Sequence, residues 1–162
     1  MNFPAPSLET PGVRRLTYVL RFHRPPKGAG EEPPATARGL VLRTEIAGGS
    51  IDTQLQELPG AEAALDLSYA LNEDGTLFFE WGTVAFGGVG ASTLSFSSVG
   101  AGSVLGAPDS DGLSHGVVAW AVKSGTGIFA GAGGAISSNF LVDLRTDELI
   151  DTHLGVIRLA DA

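Results

Sequence analysis

Apolar and polar positions alternate along most of this chain, and a period of two marks a strand with one face in a core. From Arg15 onward, Leu16, Tyr18, Leu20 and Phe22 alternate with Thr17, Val19, Arg21 and His23, until Pro25-Pro26 stops the run. Arg38 to Ile46 repeats the pattern, with Leu40, Leu42, Thr44 and Ile46 on one face and Val41, Arg43 and Glu45 on the other, and Gly48-Gly49 closes it. Residues 50–60 are ambiguous, with room for a short strand through Ile51, Thr53 and Leu55. Ala64–Leu71 and Thr76–Phe86 make the clearest pair. Between them, Asn72-Glu73-Asp74-Gly75 is hairpin chemistry, because Asp-Gly accepts positive φ. Ser92–Val99, Gly116–Val122, a run from Ala135 and a last run Leu149–Leu159 complete the set. Eight or nine strands without a helix predict an all-β chain: a single closed antiparallel β-barrel of about eight strands, since closure removes sheet edges that would otherwise pair with other chains.

Composition supports that class. With 162 residues the chain suits one domain, and its 23 glycines and 9 prolines favour tight turns. The proline-rich residues 1–14 read as an N-terminal arm and 15–162 as the barrel, with residues 25–37 and 100–114 as polar loops, the first a plain surface insertion or, as the alternative, a flap over one end of the barrel. A formal charge of −8 excludes nonspecific nucleic-acid binding, which needs a cluster of Lys and Arg. No apolar run of about 18 residues and no basic leader are present, so no membrane partner and a cytoplasmic protein are expected. The absence of cysteine removes disulfides and thiolate metal sites. His23, His115 and His153 show no local ligand spacing, and neither Gly88-x-Gly90 nor Gly125-x-Gly127 is followed by the helix that a phosphate needs, so no metal and no cofactor are expected.

Candidate chemistry rests on polar groups set into apolar strands. Thr76–Phe86 is apolar on both faces, as for a wall packed inside against a cavity and outside against a partner, and Glu80 stands on it among Phe78, Phe79, Trp81 and Phe86. Facing a dry cavity, Glu80 would have its pKa raised toward the range of a general acid or base; the alternative is an ion pair with Arg21 or Arg43 across the sheet, or a side chain that protrudes. Asp151 and His153 share one face of the last strand and could form a carboxylate-oriented imidazole if that face points inward. Arg43 and Glu45 would orient a ligand if they line the lumen, and form a solvated stripe if they do not. Tyr18, Tyr69 and Asn139 are polar strand residues within reach of a ligand. Gly112-Leu113-Ser114-His115-Gly116 fits the pattern of a nucleophile elbow, but a strand follows where that turn requires a helix.

The least ordinary stretch follows Val122. Gly125-Thr126-Gly127-Ile128-Phe129, then Gly131-Ala132, Gly134 and a strand, describes backbone that turns sharply while planting one ring in a core. It resembles the Gly-x-Gly-Ile-Phe-x-Gly-Ala-x-Gly segment of the allene oxide cyclase family and, more loosely, the related segment of plant dirigent proteins. The resemblance implies an eight-stranded antiparallel barrel, often trimeric, with a ligand cavity inside. The expected function is therefore a barrel that binds a mainly apolar small molecule, as an isomerase or cyclase acting by confinement. In that reading Glu80 is the acid or base, Phe79, Trp81 and Phe86 shape the pocket, and Tyr18, Tyr69, Asn139, His153, Arg43 and Glu45 contribute to ligand binding. The alternatives are a non-catalytic carrier and a structural barrel whose own side chains fill its lumen. A homo-oligomer, dimer or trimer, is expected under each.

Overall fold

The computed structural model describes residues 12–28, 35–87, 92–105 and 112–160. Within them lie nine strands: β1 Val13–Arg24, β2 Ala35–Ala47, β3 Ser50–Leu71, β4 Leu77–Phe86, β5 Ser92–Ser98, β6 Gly102–Leu105, β7 Leu113–Gly125, β8 Gly133–Asp143 and β9 Glu148–Ala160. The sheet runs β3-β2-β1-β9-β8-β7-β5-β4, and a further β3–β4 pairing closes it into a ring of eight antiparallel strands. β6 pairs with both β4 and β7, so it occupies the same slot as β5, further along the wall. The chain is a closed all-β barrel, as the alternation predicts.

The hairpin between β3 and β4 follows its turn chemistry. Gly75 has φ +71°, and Asn72 Oδ1 accepts a hydrogen bond from the Leu77 amide at 2.9 Å. Two sequence expectations need correcting. The loop expected over 100–114 contains β6, a strand of four residues that is too short to show an alternation. The ambiguous residues 50–60 belong to β3, a continuous strand of 22 residues. The β1–β2 loop at 29–34 and most of the N-terminal arm lie outside the described residues, whereas β1 already begins at Val13.

β2 follows β1 only from His23↔Thr36 to Leu20↔Gly39. Beyond a register shift, Leu40 to Ala47 pairs instead with Ser50 to Glu57. Residues 40–57 thus form a two-stranded ribbon outside the ring, here called the arm.

Inward-facing residues from every wall meet in one core. Phe22, Trp120, Phe129, Leu94, Ile136 and Ile157 are fully buried, and Phe96 stacks on Trp120 with centroids 4.0 Å apart. The glycine-rich segment seals one end. After β7, a single 3₁₀ turn at Gly127–Phe129 drives the Phe129 ring against Phe86 at 4.8 Å. Gly125 permits this approach, because a Cβ there would lie 2.2 Å from the Phe129 carbonyl oxygen. Burying a ring of this size stabilises the fold by roughly 1.5–3 kcal/mol.

Candidate functional site

Glu80 points inward from β4 and is only 7% exposed. Cross-strand registers place it in one circumferential row, Tyr69–Glu80 on β3 and β4, then Ser98–Trp120 on β5 and β7, then Ile136–Gly155–Tyr18 on β8, β9 and β1. Ser98 Oγ accepts a hydrogen bond from the Glu80 amide at 2.8 Å and donates to its carbonyl at 3.2 Å. The indole N–H of Trp120 donates to Glu80 Oε2 at 2.9 Å. Burial pushes the Glu80 carboxyl up to about 7; the Trp120 hydrogen bond opposes that rise, and the charge of Asp151 adds to it. The carboxyl therefore exchanges its proton near neutrality. Neither Arg21 nor Arg43 pairs with it, contrary to the ion-pair alternative: Arg43 pairs with Glu45 on the arm.

A second polar group sits beside the first. His153 and Asp151 are fully or almost fully buried on the inner face of β9, as is Ser138 on β8 opposite His153. Ser138 Oγ donates to Asp151 Oδ1 at 2.8 Å, and His153 Nε2 lies 2.8 Å from Asp151 Oδ2. This contact fixes the orientation of the imidazole and leaves Nδ1 as the ring nitrogen that Asp151 does not use. Nδ1 is buried and has no hydrogen-bond partner. The imidazole lies between Phe22, with centroids 4.5 Å apart, and the edge-on Trp120 at 4.7 Å. Trp120 thus links the two carboxylates: its N–H holds Glu80 while its ring packs on the histidine that holds Asp151.

The other sequence candidates divide by face. Tyr69 shares the inward side with Glu80 and stands directly across from it, yet it is 64% exposed. The inner face therefore opens to solvent along the end of β3. Tyr18 and Phe86 meet edge to face at 5.5 Å beside Phe129. Phe86 is six residues along β4 from Glu80, about 20 Å away in strand geometry. The Tyr18 ring lies over Gly155, its hydroxyl is buried without a partner, and burial raises its pKa. Phe79 and Trp81 lie on the outer face, where the pleat puts both neighbours of an inward Glu80, and both are about half exposed. Asn139 is likewise exposed on the outer wall, and Arg43 and Glu45 are solvated on the arm, so none of these five shapes the lumen. Ser114, at the apparent elbow, is buried within β7.

Trp120 and Ser138 were missed as site residues. Ser138 had a signal, as a small polar residue on the face of Ile136 and Phe140, whereas the role of Trp120 depends on Glu80, 40 residues away, and no single-strand pattern carries it. Cavities of about 670, 430 and 320 Å³ open among the described residues, and none of the three is lined by Glu80, Trp120, Asp151 or His153. Around those four the barrel is filled by aromatic rings.

No family model matches the sequence, and no curated protein does. Among solved structures, a pterocarpan synthase dirigent protein superposes with a TM-score of 0.55 at 17% identity, over 95% of this chain and 90% of that one. At that identity the likeness establishes the fold alone, a dirigent-like β-barrel.

Proposed function

We propose that the protein binds a mainly apolar small molecule at the open side of its lumen, against Glu80, and acts on it as an isomerase or cyclase of the allene oxide cyclase type. The observation that carries this reading is the state of Glu80. It is a nearly buried carboxyl titrating at about 7, with one oxygen held by Trp120 and no protein partner for the other among the described residues. Such a group can give a proton to a developing oxyanion and take one back at neutral pH. Apolar walls would hold a flexible substrate in a reactive conformation, and the Tyr69 hydroxyl would steady it at the rim. The dirigent-like fold supports the shape of this reading, and the exposed Leu77, Phe79 and Trp81 on the outside of β4 support a homo-oligomer that covers them.

A specific observation favours a second reading. The stack of Phe96, Trp120, His153 and Phe22 occupies the barrel centre, as in a structural barrel filled by its own side chains. Native mass spectrometry of freshly purified protein, followed by denaturation of the same sample, separates the two. An apolar molecule released on denaturation, and lost from Glu80→Gln or Tyr69→Ala, supports the ligand reading. Protein that flies empty, and whose Trp120 fluorescence in a Trp81→Phe background does not respond to apolar dyes, supports the structural one. Conversion of the released molecule by wild type but not by Glu80→Gln distinguishes an enzyme from a carrier.

A further inference from the structure

On the outer wall, on the opposite face of the strands that carry the lumen network, the arm stands over β1, β9, β8, β7 and β6 beside an open groove of about 430 Å³. Leu40 and Leu55 of the arm and Leu105, Leu141 and Ile150 of the wall are among its apolar lining residues, and Arg21, His115, Asn139 and Thr152 are its polar ones. This volume and mix, mostly apolar with a few polar groups, is what small-molecule sites have.

The polar groups are arranged in order. Arg21 pairs in register with Thr152, and Thr152 with Asn139, giving a row that crosses three strands and spans about 10 Å. Two residues further along, Ile150, Leu141, His115 and Leu105 form a parallel and mainly apolar row. The floor is thus polar on one side and apolar on the other. Arg21 forms no ion pair among the described residues, while the neighbouring cations are committed: His23 to Glu148 at 2.8 Å and Arg38 to Glu57 at 3.4 Å. Glu62 is the other acid near Arg21, in the adjoining cavity of about 670 Å³. Leu55 and Leu105 stand on opposite sides of the groove, each about half exposed. An occupant matching this surface carries one negative charge and a linear apolar body.

We propose that this groove binds a small amphipathic monocarboxylate, its carboxylate at Arg21 beside Thr152 and Asn139, its apolar body over Ile150, Leu141 and Leu105 beneath Leu55. Nothing in this assignment uses Glu80 or the barrel interior, so it stands whether or not the lumen binds a ligand.

The test is calorimetric titration with decanoate and with decanol, which has the same chain without the charge, below their aggregation concentrations. Wild-type protein is expected to bind one equivalent of decanoate about tenfold tighter than decanol, because an Arg–carboxylate hydrogen bond is charge-assisted. Arg21→Gln should abolish that preference while leaving the unfolding midpoint unchanged, since the side chain is exposed, and Arg21→Lys should restore part of it. Leu105→Asp, which puts an acid beside the apolar track, should weaken both ligands, and Glu80→Gln should weaken neither. Equal affinity for the two probes, decanoate binding unchanged by Arg21→Gln, or no saturable binding would each overturn the assignment. Loss of binding in Glu80→Gln with retention in Arg21→Gln would place the ligand in the lumen and overturn it as well.

Discussion

Replacing Glu80 by Gln removes a charge and keeps a shape, because the amide oxygen still accepts the Trp120 N–H. In the unfolded chain this carboxyl titrates near 4.5, and in the fold at about 7, since burial and the nearby Asp151 charge outweigh the Trp120 hydrogen bond. The native state therefore holds the proton to higher pH than the unfolded state. Its contribution to stability is complete below about pH 4.5 and is lost as pH rises through 7. At 1.36 kcal/mol for each pH unit, the separation corresponds to roughly 3 kcal/mol. Gln does not titrate, so the stability of Glu80→Gln minus that of wild type should rise by roughly 3 kcal/mol between pH 4.5 and pH 9. In a chain of this size that is roughly 6–12 °C in Tm at the alkaline end. Urea unfolding of both proteins at intervals across that range, followed by tryptophan fluorescence, measures the difference directly, and titrations common to both cancel. A difference that stays flat, or that falls as pH rises, would refute the placement of Glu80 in a dry interior.

Other perturbations reach other parts of the barrel. Tyr18→Phe deletes a buried hydroxyl that has no partner, so it should be neutral or stabilising by up to about 1 kcal/mol in thermal melts; a larger loss would show that the hydroxyl is bonded. Phe129→Ala removes the ring that seals one barrel end and should lower stability by about 3–5 kcal/mol in urea titrations; a loss below about 1 kcal/mol would mean that the glycine-rich turn does not anchor the core. His153→Phe keeps a ring between Phe22 and Trp120 but leaves the buried Asp151 with Ser138 alone. It should cost about 3–5 kcal/mol at neutral pH. Adding Asp151→Leu should recover most of that loss, and a double-mutant cycle showing simple additivity would count against the pair.

Much of the barrel was legible because its signals are local. Alternation identified the apolar face of β1, and Asn72-Glu73-Asp74-Gly75 identified the β3–β4 turn, whereas β4, apolar on both faces, and β9 did not say which face points inward. The glycines from Gly125 onward announced a tight bend with one buried ring, and Phe129 is that ring. What escaped depends on pairing between strands distant in sequence. Arg43 and Glu45 read as candidate lumen residues because their strand alternates well, but alternation does not say which neighbour a strand keeps. β2 leaves β1 at Gly39, and the pattern continues in the arm outside the ring. Phe79 and Trp81 were grouped with Glu80 by closeness in sequence, and the pleat separates them. Asp151 and His153 were paired correctly by their spacing of two, while Ser138, their third member, comes from another strand.

The polar centre is not something the fold needs. At this level of the barrel, stacked Phe96 and Trp120 with Phe22 and Ile136 already close the core, and apolar residues at 80, 138, 151 and 153 would pack there without desolvating any charge. Instead the chain buries two carboxyls close enough for one to raise the pKa of the other. It then fixes one of them between Ser138 and His153 and leaves His153 Nδ1 without a hydrogen-bond partner. Such an arrangement is less stable than its apolar equivalent, and a buried polar atom left without a partner adds a penalty of about 1–3 kcal/mol. A purely structural barrel gains nothing from either. A barrel that moves protons or orients a polar group on an apolar ligand gains a carboxyl that titrates near neutrality on its open side and an imidazole of fixed orientation behind it. The physical argument for function therefore rests on a cost that the scaffold alone does not explain.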